Sequence, residues 1–353
     1  MGKETFLRKM KRYVDDLDEV FGGERRTESD SVDMEGIEEL GISTGEADVV
    51  IHTHESDFLD LYLDTYEGGP TLETNMSGTK LRVEVQGRKS GITLGRRFYS
   101  ELQVYIPKRV LDGISVDTQS GDIAMKDVEV SRVGLKSDSG EVEIEGVRAL
   151  EASLKTKSGE MEIKGFESES LSFASDSGEV SLSDIRGDVH GKTRSGEITV
   201  DHCEGMDIHL KNKSGGVEVE NVTAEKLSIS TISGEIEVDE LRVREASLDS
   251  RSGEITGRHL VGDIRSTTTS GEVELEFEEA GRNIFVETSS GEIELRQKGE
   301  GWNAEVHIQT NSGDIEVPTE AVGTQGNHDF EGTIGMGEGR IELKSLSGDI
   351  EVF

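Results

Sequence analysis

The sequence predicts an all-β chain, a single-chain parallel β-solenoid with two strands per rung of about 19 residues, preceded by a short amphipathic helix. Three observations predict it. A Ser-Gly pair, followed by an acidic residue (glycine in one copy) and then an aliphatic one, recurs at Ser120, Ser139, Ser158, Ser177, Ser195, Ser214, Ser233, Ser252, Ser270, Ser290, Ser312 and Ser347. The intervals are 19, 19, 19, 18, 19, 19, 19, 18, 20, 22 and 35, and a fixed period near 20 marks stacked supersecondary units. Apolar residues alternate on both sides of each pair, as in strands with one buried face. The 43 glycines against three prolines, Pro70, Pro107 and Pro318, supply turns without the residue that breaks β-ladders.

Counted from each serine, the inward positions are six, four and two before it and three, five and eight after it. In the rung of Ser139 these are Val133, Leu135 and Ser137, then Val142, Ile144 and Val147. The step from even to odd offsets needs a break in the pleat, which glycine supplies. The motif serine is expected to turn inward and bond the turn backbone. Equivalent residues then stack at ~4.8 Å, with Val142, Met161, Val180, Ile198, Val217, Ile236 and Ile255 in one core column. Turn chemistry accounts for the serines without a nucleophile: none lies in Gly-x-Ser-x-Gly, and no histidine recurs at a fixed offset from them.

The regular array runs over 116–353, with a glycine-rich insertion at 318–340, and residues 39–115 read as atypical opening rungs that cover the end of the core. Residues 24–38 read as an acidic linker. Over 1–23, Phe6, Met10, Tyr13, Leu17 and Val20 fall at helical spacing, basic residues fill the first half and acidic ones the second, and Gly22-Gly23 stops the run. This helix is expected to dock on the protein or a partner. Self-association and peripheral contact with a membrane are the other uses open to it.

Seventy-four acidic residues against 38 basic ones give a formal charge of −36, which excludes nucleic acid as a partner of the main body. A column of Asp122, Glu141, Glu160, Glu179, Glu197, Glu235, Glu254, Glu272, Glu292, Asp314 and Asp349, broken at Gly216, lies just outside the turns. Solvent and interspersed bases such as Lys155, Lys157, Arg194, Lys211 and Arg251 offset its repulsion better than bound calcium, because the calcium-roll nonapeptide is absent. Cys203, the one cysteine, reads as a buried thiol between Ile185 and Val222. His52 and His54 share a strand face but lack a third ligand at a recognisable spacing, and Asp201-His202-Cys203 places neighbours on opposite faces. No catalytic, cofactor-binding or metal-ligating set is assigned. With no apolar run of signal or membrane-spanning length, the expected location is the cytoplasm, with a peripheral membrane position open.

From about Glu39 onward the sequence resembles the putative adhesin family, bacterial and archaeal β-strand-repeat proteins built around a domain of unknown function. The residues that carry the resemblance are Gly45-Glu-Ala-Asp-Val-Val-Ile51, Leu102-Gln-Val-Tyr-Ile-Pro107, Val116-Asp-Thr-Gln-Ser-Gly-Asp-Ile123 and the Ser-Gly-Glu-Ile/Val rungs. The resemblance implies the fold and a link to the cell envelope, since some relatives are encoded with envelope-stress systems. The expected function is a non-catalytic scaffold or binding protein with a protein partner. The alternatives are a self-assembling cytoskeletal protein similar to bactofilins, and a β-helix that binds or acts on polysaccharide.

Overall fold

The alternation around each Ser-Gly pair produces the expected stack in the computed structural model, which describes residues 25–87, 99–299 and 301–353. Val142 sits in parallel register between Ile123 and Met161, and Ile236 between Val217 and Ile255. The described residues form strands and turns with no helix. The helix expected over 1–23 lies outside them.

Two long ladders per rung are joined by the Ser-Gly turn, and the residues eight and ten after the serine add a short third side. In that side Val128, Val147, Phe166, Ile185, Cys203 and Val222 are buried. The inward columns make one continuous core from Met34 to Val352. Size is traded between rungs: Phe173 faces Gly191 in register, and a Cβ on Gly191 would lie 2.0 Å from the phenyl ring.

The motif serines point outward, contrary to expectation; all twelve are exposed. The residue two before each serine turns inward instead. Thr118 donates to the Gly121 carbonyl at 2.8 Å, Gly140 N–H donates to Ser137 Oγ at 2.7 Å, and Gly159 N–H donates to Thr156 Oγ1 at 2.9 Å. Asn212 Nδ2 reaches the carbonyls of Gly196 and Gly215 at 2.8 and 3.1 Å. Strict alternation would place the serine on the same face as −2, so the pleat breaks between them, and −1 and the serine itself complete the turn outside the core.

The motif glycine is required by contact. A Cβ on Gly140 would lie 2.1 Å from the Gly121 carbonyl oxygen, and one on Gly159 1.9 Å from that of Gly140. Each glycine Cα thus rests on the backbone of the rung below. Where a rung is one residue short, between Ser177 and Ser195 and between Ser252 and Ser270, Gly187 and Gly262 take φ of 126° and 133°. There the ladder shifts register by one residue, a conformation that a Cβ disfavours.

A second turn went unrecognised in the sequence. The residue seven after each of the first eight serines is left-handed: Asp127, Gly146, Gly165, Asp184, His202, Asn221, Glu240 and His259 have φ between 50° and 66°. Asp, Asn, His and Gly are the residues that tolerate this region. Their recurrence at the rung period, together with the inward step from +5 to +8, was the available signal.

Both ends differ from the linear order of the repeats. Glu39–Thr44 pairs with both Lys80–Gln86 and Gly113–Thr118, while Asp48–His54 pairs with Glu101–Pro107 and Ile123–Lys126. The first rung is therefore enclosed by the second and third. At the other end Gly339–Ser347 lies between Val273–Ser290 and Ala304–Thr310, so the stack runs Ser290, Ser347, Ser312. The glycines agree: Gly348 rests on the Gly291 carbonyl and Gly313 on that of Gly348.

Antiparallel strands close each end. Arg25–Asp33, expected to be a linker, is a strand paired along its length with Phe58–Tyr66, which in turn pairs with Glu101–Pro107. Polar side chains hold it: Thr27 Oγ1 donates to Asp64 at 2.7 Å and Ser31 Oγ to Asp60 at 2.6 Å. A strand at the edge of a stack needs no apolar outer face, so its acidic, polar composition concealed it. The glycine-rich insertion contains Val322–Gln325 and Asp329–Ile334, an antiparallel pair on Ala304–Thr310. Trp302 covers this end, 5.7 Å from Phe277 between ring centroids, with its Nε1–H donating to the Phe353 carbonyl at 2.7 Å.

Candidate interaction faces

Because every rung repeats the same offsets, side chains of one offset form a column along the stack, and the chemistry of the surface is set column by column. After the Ser-Gly turn, the +2 column is the acidic ladder. The +4 column adds Glu143, Glu162, Glu218, Glu237, Glu274 and Glu294. Between the rungs of Ser120 and Ser290 neither column contains a base. The crowding acts on the carboxyls: Glu218 is pushed up by burial, then by Glu237, Glu197 and Glu220. Glu351 is pushed up by burial and then by Glu316, Glu294 and Glu292.

The ladder ends are aspartates, and these are tied to the backbone. Asp122 N–H donates to Asp48 Oδ1, Glu141 N–H to Asp122 Oδ1 and Asp314 N–H to Asp349 Oδ1, each at 2.8 Å. A carboxylate that caps the next rung's turn needs the shorter side chain.

Beside that end lies a buried polar cluster. Tyr99 OH donates to Glu101 Oε2 at 2.5 Å and Gln103 Nε2 to Glu101 Oε1 at 2.7 Å. Burial pushes the Asp48 carboxyl up to about 7, against the amide hydrogen bond from Asp122 and with the Asp122 and Glu101 carboxylates adding to the shift. The folded chain then keeps this proton up to about pH 7, whereas an unfolded carboxyl releases it near 3.8. The unfolded state binds fewer protons between those values, so Asp48 makes stability fall as pH rises through that window. Asp48→Asn keeps the acceptor oxygen without the charge. It should leave stability unchanged near pH 4 and raise it at pH 8 by up to ~4 kcal/mol, read from denaturant melts at the two pH values.

His52 and His54 pack near Tyr105, at 5.6 and 6.1 Å between ring centroids, and His54 Nε2 lies 2.7 Å from the Phe58 carbonyl oxygen. Burial, then Lys126, holds His52 below the ordinary imidazole range. His202 sits at a left-handed corner, facing solvent, with Nδ1 2.6 Å from Asp201. Cys203 is buried between Ile185 and Val222, and burial pushes its thiol up to about 12, with Glu204 adding. That pKa removes its nucleophilicity. Among the described residues no three His, Cys, Asp or Glu side chains are grouped to hold a metal ion.

A groove of about 620 Å³ follows the left-handed corners. Its walls are arginines and glutamates of successive rungs that already pair across it, Arg148 with Glu167 at 3.1 Å and Arg186 with Glu204 at 3.8 Å. The face before the Ser-Gly turn is different. Its −3 and −1 columns hold Lys155, Lys157, Lys192, Arg194, Lys211 and Lys213, all exposed.

Solved structures to which the chain is similar include a putative cell adhesion protein from Clostridium sporogenes, with 10% identity over 93% of this chain and 99% of its own and a TM-score of 0.23. A putative lipid binding protein from Parabacteroides distasonis matches at 16% identity over 79% and 96%, with a TM-score of 0.40. A putative adhesin from Bacteroides fragilis matches at 13% over 77% and 97%, with a TM-score of 0.32. No curated protein matches the sequence. The Toastrack DUF4097 family model matches twice, over residues 37–204 and 187–353, and the two matches together span the solenoid from its first rung to its last. The chain belongs to the Toastrack family, built on a domain of unknown function.

Proposed function

We propose that this Toastrack solenoid is a non-catalytic scaffold that binds a protein partner along one of its long faces, at the cytoplasmic periphery of the cell envelope. The observation that carries the reading is the sorting of charge into columns that run the length of the stack, acidic after the turn and basic in the middle rungs before it. A catalytic site needs different groups converging on one point, whereas columns repeat one group along a line. That arrangement suits recognition of an extended surface. Cell-envelope linkage rests on the family resemblance.

End-to-end self-assembly is disfavoured by the antiparallel strands at both ends, since a parallel stack cannot continue through them. The test is affinity capture with the full chain as bait from detergent-solubilised cells, beside bait lacking residues 1–23. One partner retained near 1:1 is the expected result, and its loss with the shortened bait would assign contact to that segment. Recovery of the chain alone, or turnover of a polysaccharide by the purified chain, would reject the reading.

A further inference from the structure

The scaffold reading leaves open which face binds, and the middle of the pre-turn face is chemically unlike the rest of the molecule. Four of its six cations, Lys155, Lys192, Lys211 and Lys213, make no ion pair among the described residues; Lys157 pairs with Asp138 at 2.7 Å and Arg194 with Asp176 at 3.2 Å. Lys192 and Lys211 are register partners on adjacent rungs. Two like charges one strand spacing apart are unfavourable unless something neutralises them. In a chain with 74 acids and 38 bases, four unpaired cations on so few neighbouring rungs require a reason. Gly216 sharpens the anomaly, because it removes the ladder carboxylate from the rung that carries Lys211 and Lys213.

We propose that this strip is the docking surface for an extended acidic peptide segment of a partner protein. The inference rests on the scaffold reading and names its contact. The strip is two columns wide, ~7 Å, and its lysines span four rungs, ~14 Å, about the reach of four or five extended residues.

Its borders select the ligand. On one side, across the Ser-Gly turn, runs the acidic ladder. On the other, beyond Ser153, Ser172, His190 and His209, stand Glu151, Asp188 and Asp207. A planar anionic membrane would press charge against both acidic borders, and a nucleic-acid duplex is too wide to avoid them. A single-stranded nucleic acid gains most from stacking on aromatic rings, and the strip has none outside the two histidines. A narrow chain of carboxylates meets the unpaired lysines between these borders, and the carboxylate inside the strip, Asp176, is already paired with Arg194. His190 and His209 lie 6.5 Å apart, and burial, then Lys211, holds His209 below the ordinary imidazole range. At neutral pH His209 therefore offers a hydrogen-bonding edge to a peptide backbone rather than another charge.

The test uses the full chain and a fluorescent deca-glutamate peptide as probe, by anisotropy at low and physiological salt. Saturable 1:1 binding is expected, weakening with salt and falling tenfold or more in Lys192→Glu with Lys211→Glu. Lys164→Glu, which makes half that charge change on the other side of the stack, should leave it within twofold. Circular dichroism melts confirm that the double variant folds. Absence of wild-type binding, equal binding by the double variant, or tighter binding to phosphatidylglycerol vesicles or single-stranded DNA would overturn the assignment. In the capture experiment, a partner held equally by wild type and double variant sinks the strip and spares the scaffold; no partner for either sinks the scaffold.

Discussion

Ile236→Asp should abolish cooperative folding of the central rungs, whereas Glu235→Gln, its neighbour in sequence, should be neutral or slightly stabilising. Ile236 is 1% exposed and stacks in register between Val217 and Ile255. The substitution removes the transfer and cavity energy of a buried aliphatic chain, ~2–5 kcal/mol, and leaves a carboxylate with no partner in an apolar column, a further several kcal/mol. Against the ~5–15 kcal/mol stability of ordinary domains, that sum is disabling. Glu235 belongs to the outward ladder, where losing one charge relieves repulsion from Glu254 one rung on. Far-ultraviolet circular dichroism and denaturant midpoints of the two variants decide the matter. Similar losses from both would show that the inward and outward faces are wrongly assigned.

The regular part of the fold was legible because one pattern is written twelve times, and period-two alternation leaves no freedom about which face is buried. Val142, Met161 and Val180 stack in the column read from sequence. Three features were not legible, each for a physical reason. Register is set by the nearest compatible neighbour in space, so the sequence cannot show that Ser347 stacks before Ser312, which depends on the excursion through Val322–Ile334 folding back. The inward hydroxyls at −2 and the outward motif serines are chemically alike and share the parity of the strand, so alternation cannot separate them; the break in the pleat between them does. The edge strand Arg25–Asp33 gains its stability from side-chain hydrogen bonds to Asp60 and Asp64 rather than from apolar burial, so hydropathy is blind to it. The lysine strip was visible as scattered bases. Its meaning emerged when stacking placed Lys192 beside Lys211 and left both without carboxylates.

The intercalated ends bear on cohesion. In a stack with contacts only between neighbouring rungs, the outermost rung is the easiest to lose. Here the outermost rungs, Lys80–Gln86 with Glu101–Pro107 and Ala304–Thr310 with Ile315–Glu316, are interior in sequence. The chain-terminal rungs are held from both sides. Fraying therefore needs the release of a covalently tethered segment, together with Leu59, Leu61 and Leu63 at one end and Trp302 at the other, all buried.

Gly234→Ala, the smallest possible change to a motif glycine, should destabilise by ~3 kcal/mol or more, the scale of a steric clash the core cannot absorb. The cost does not come from φ, since Gly234 is not among the left-handed glycines. A Cβ there would lie 2.0 Å from the Gly215 carbonyl oxygen and 2.7 Å from its carbon, and backbone of a paired rung cannot move aside without breaking the ladder above and below it. Gly216 and Gly134 provide the comparison. A Cβ on Gly216 meets nothing nearer than a Glu197 side-chain oxygen at 3.8 Å, and one on Gly134 meets nothing within 4 Å. Alanine at either should be neutral or stabilising by ~0.5–1 kcal/mol, through the reduced freedom of the unfolded chain. Denaturant melts of the three single variants rank them. Because rungs touch only their neighbours, the Gly234 variant should also unfold over a broader range, the break uncoupling the rungs on either side. If alanine at Gly234 is as harmless as at Gly134, the glycine column is merely turn chemistry and the rung-on-rung backbone contact does not hold the solenoid together.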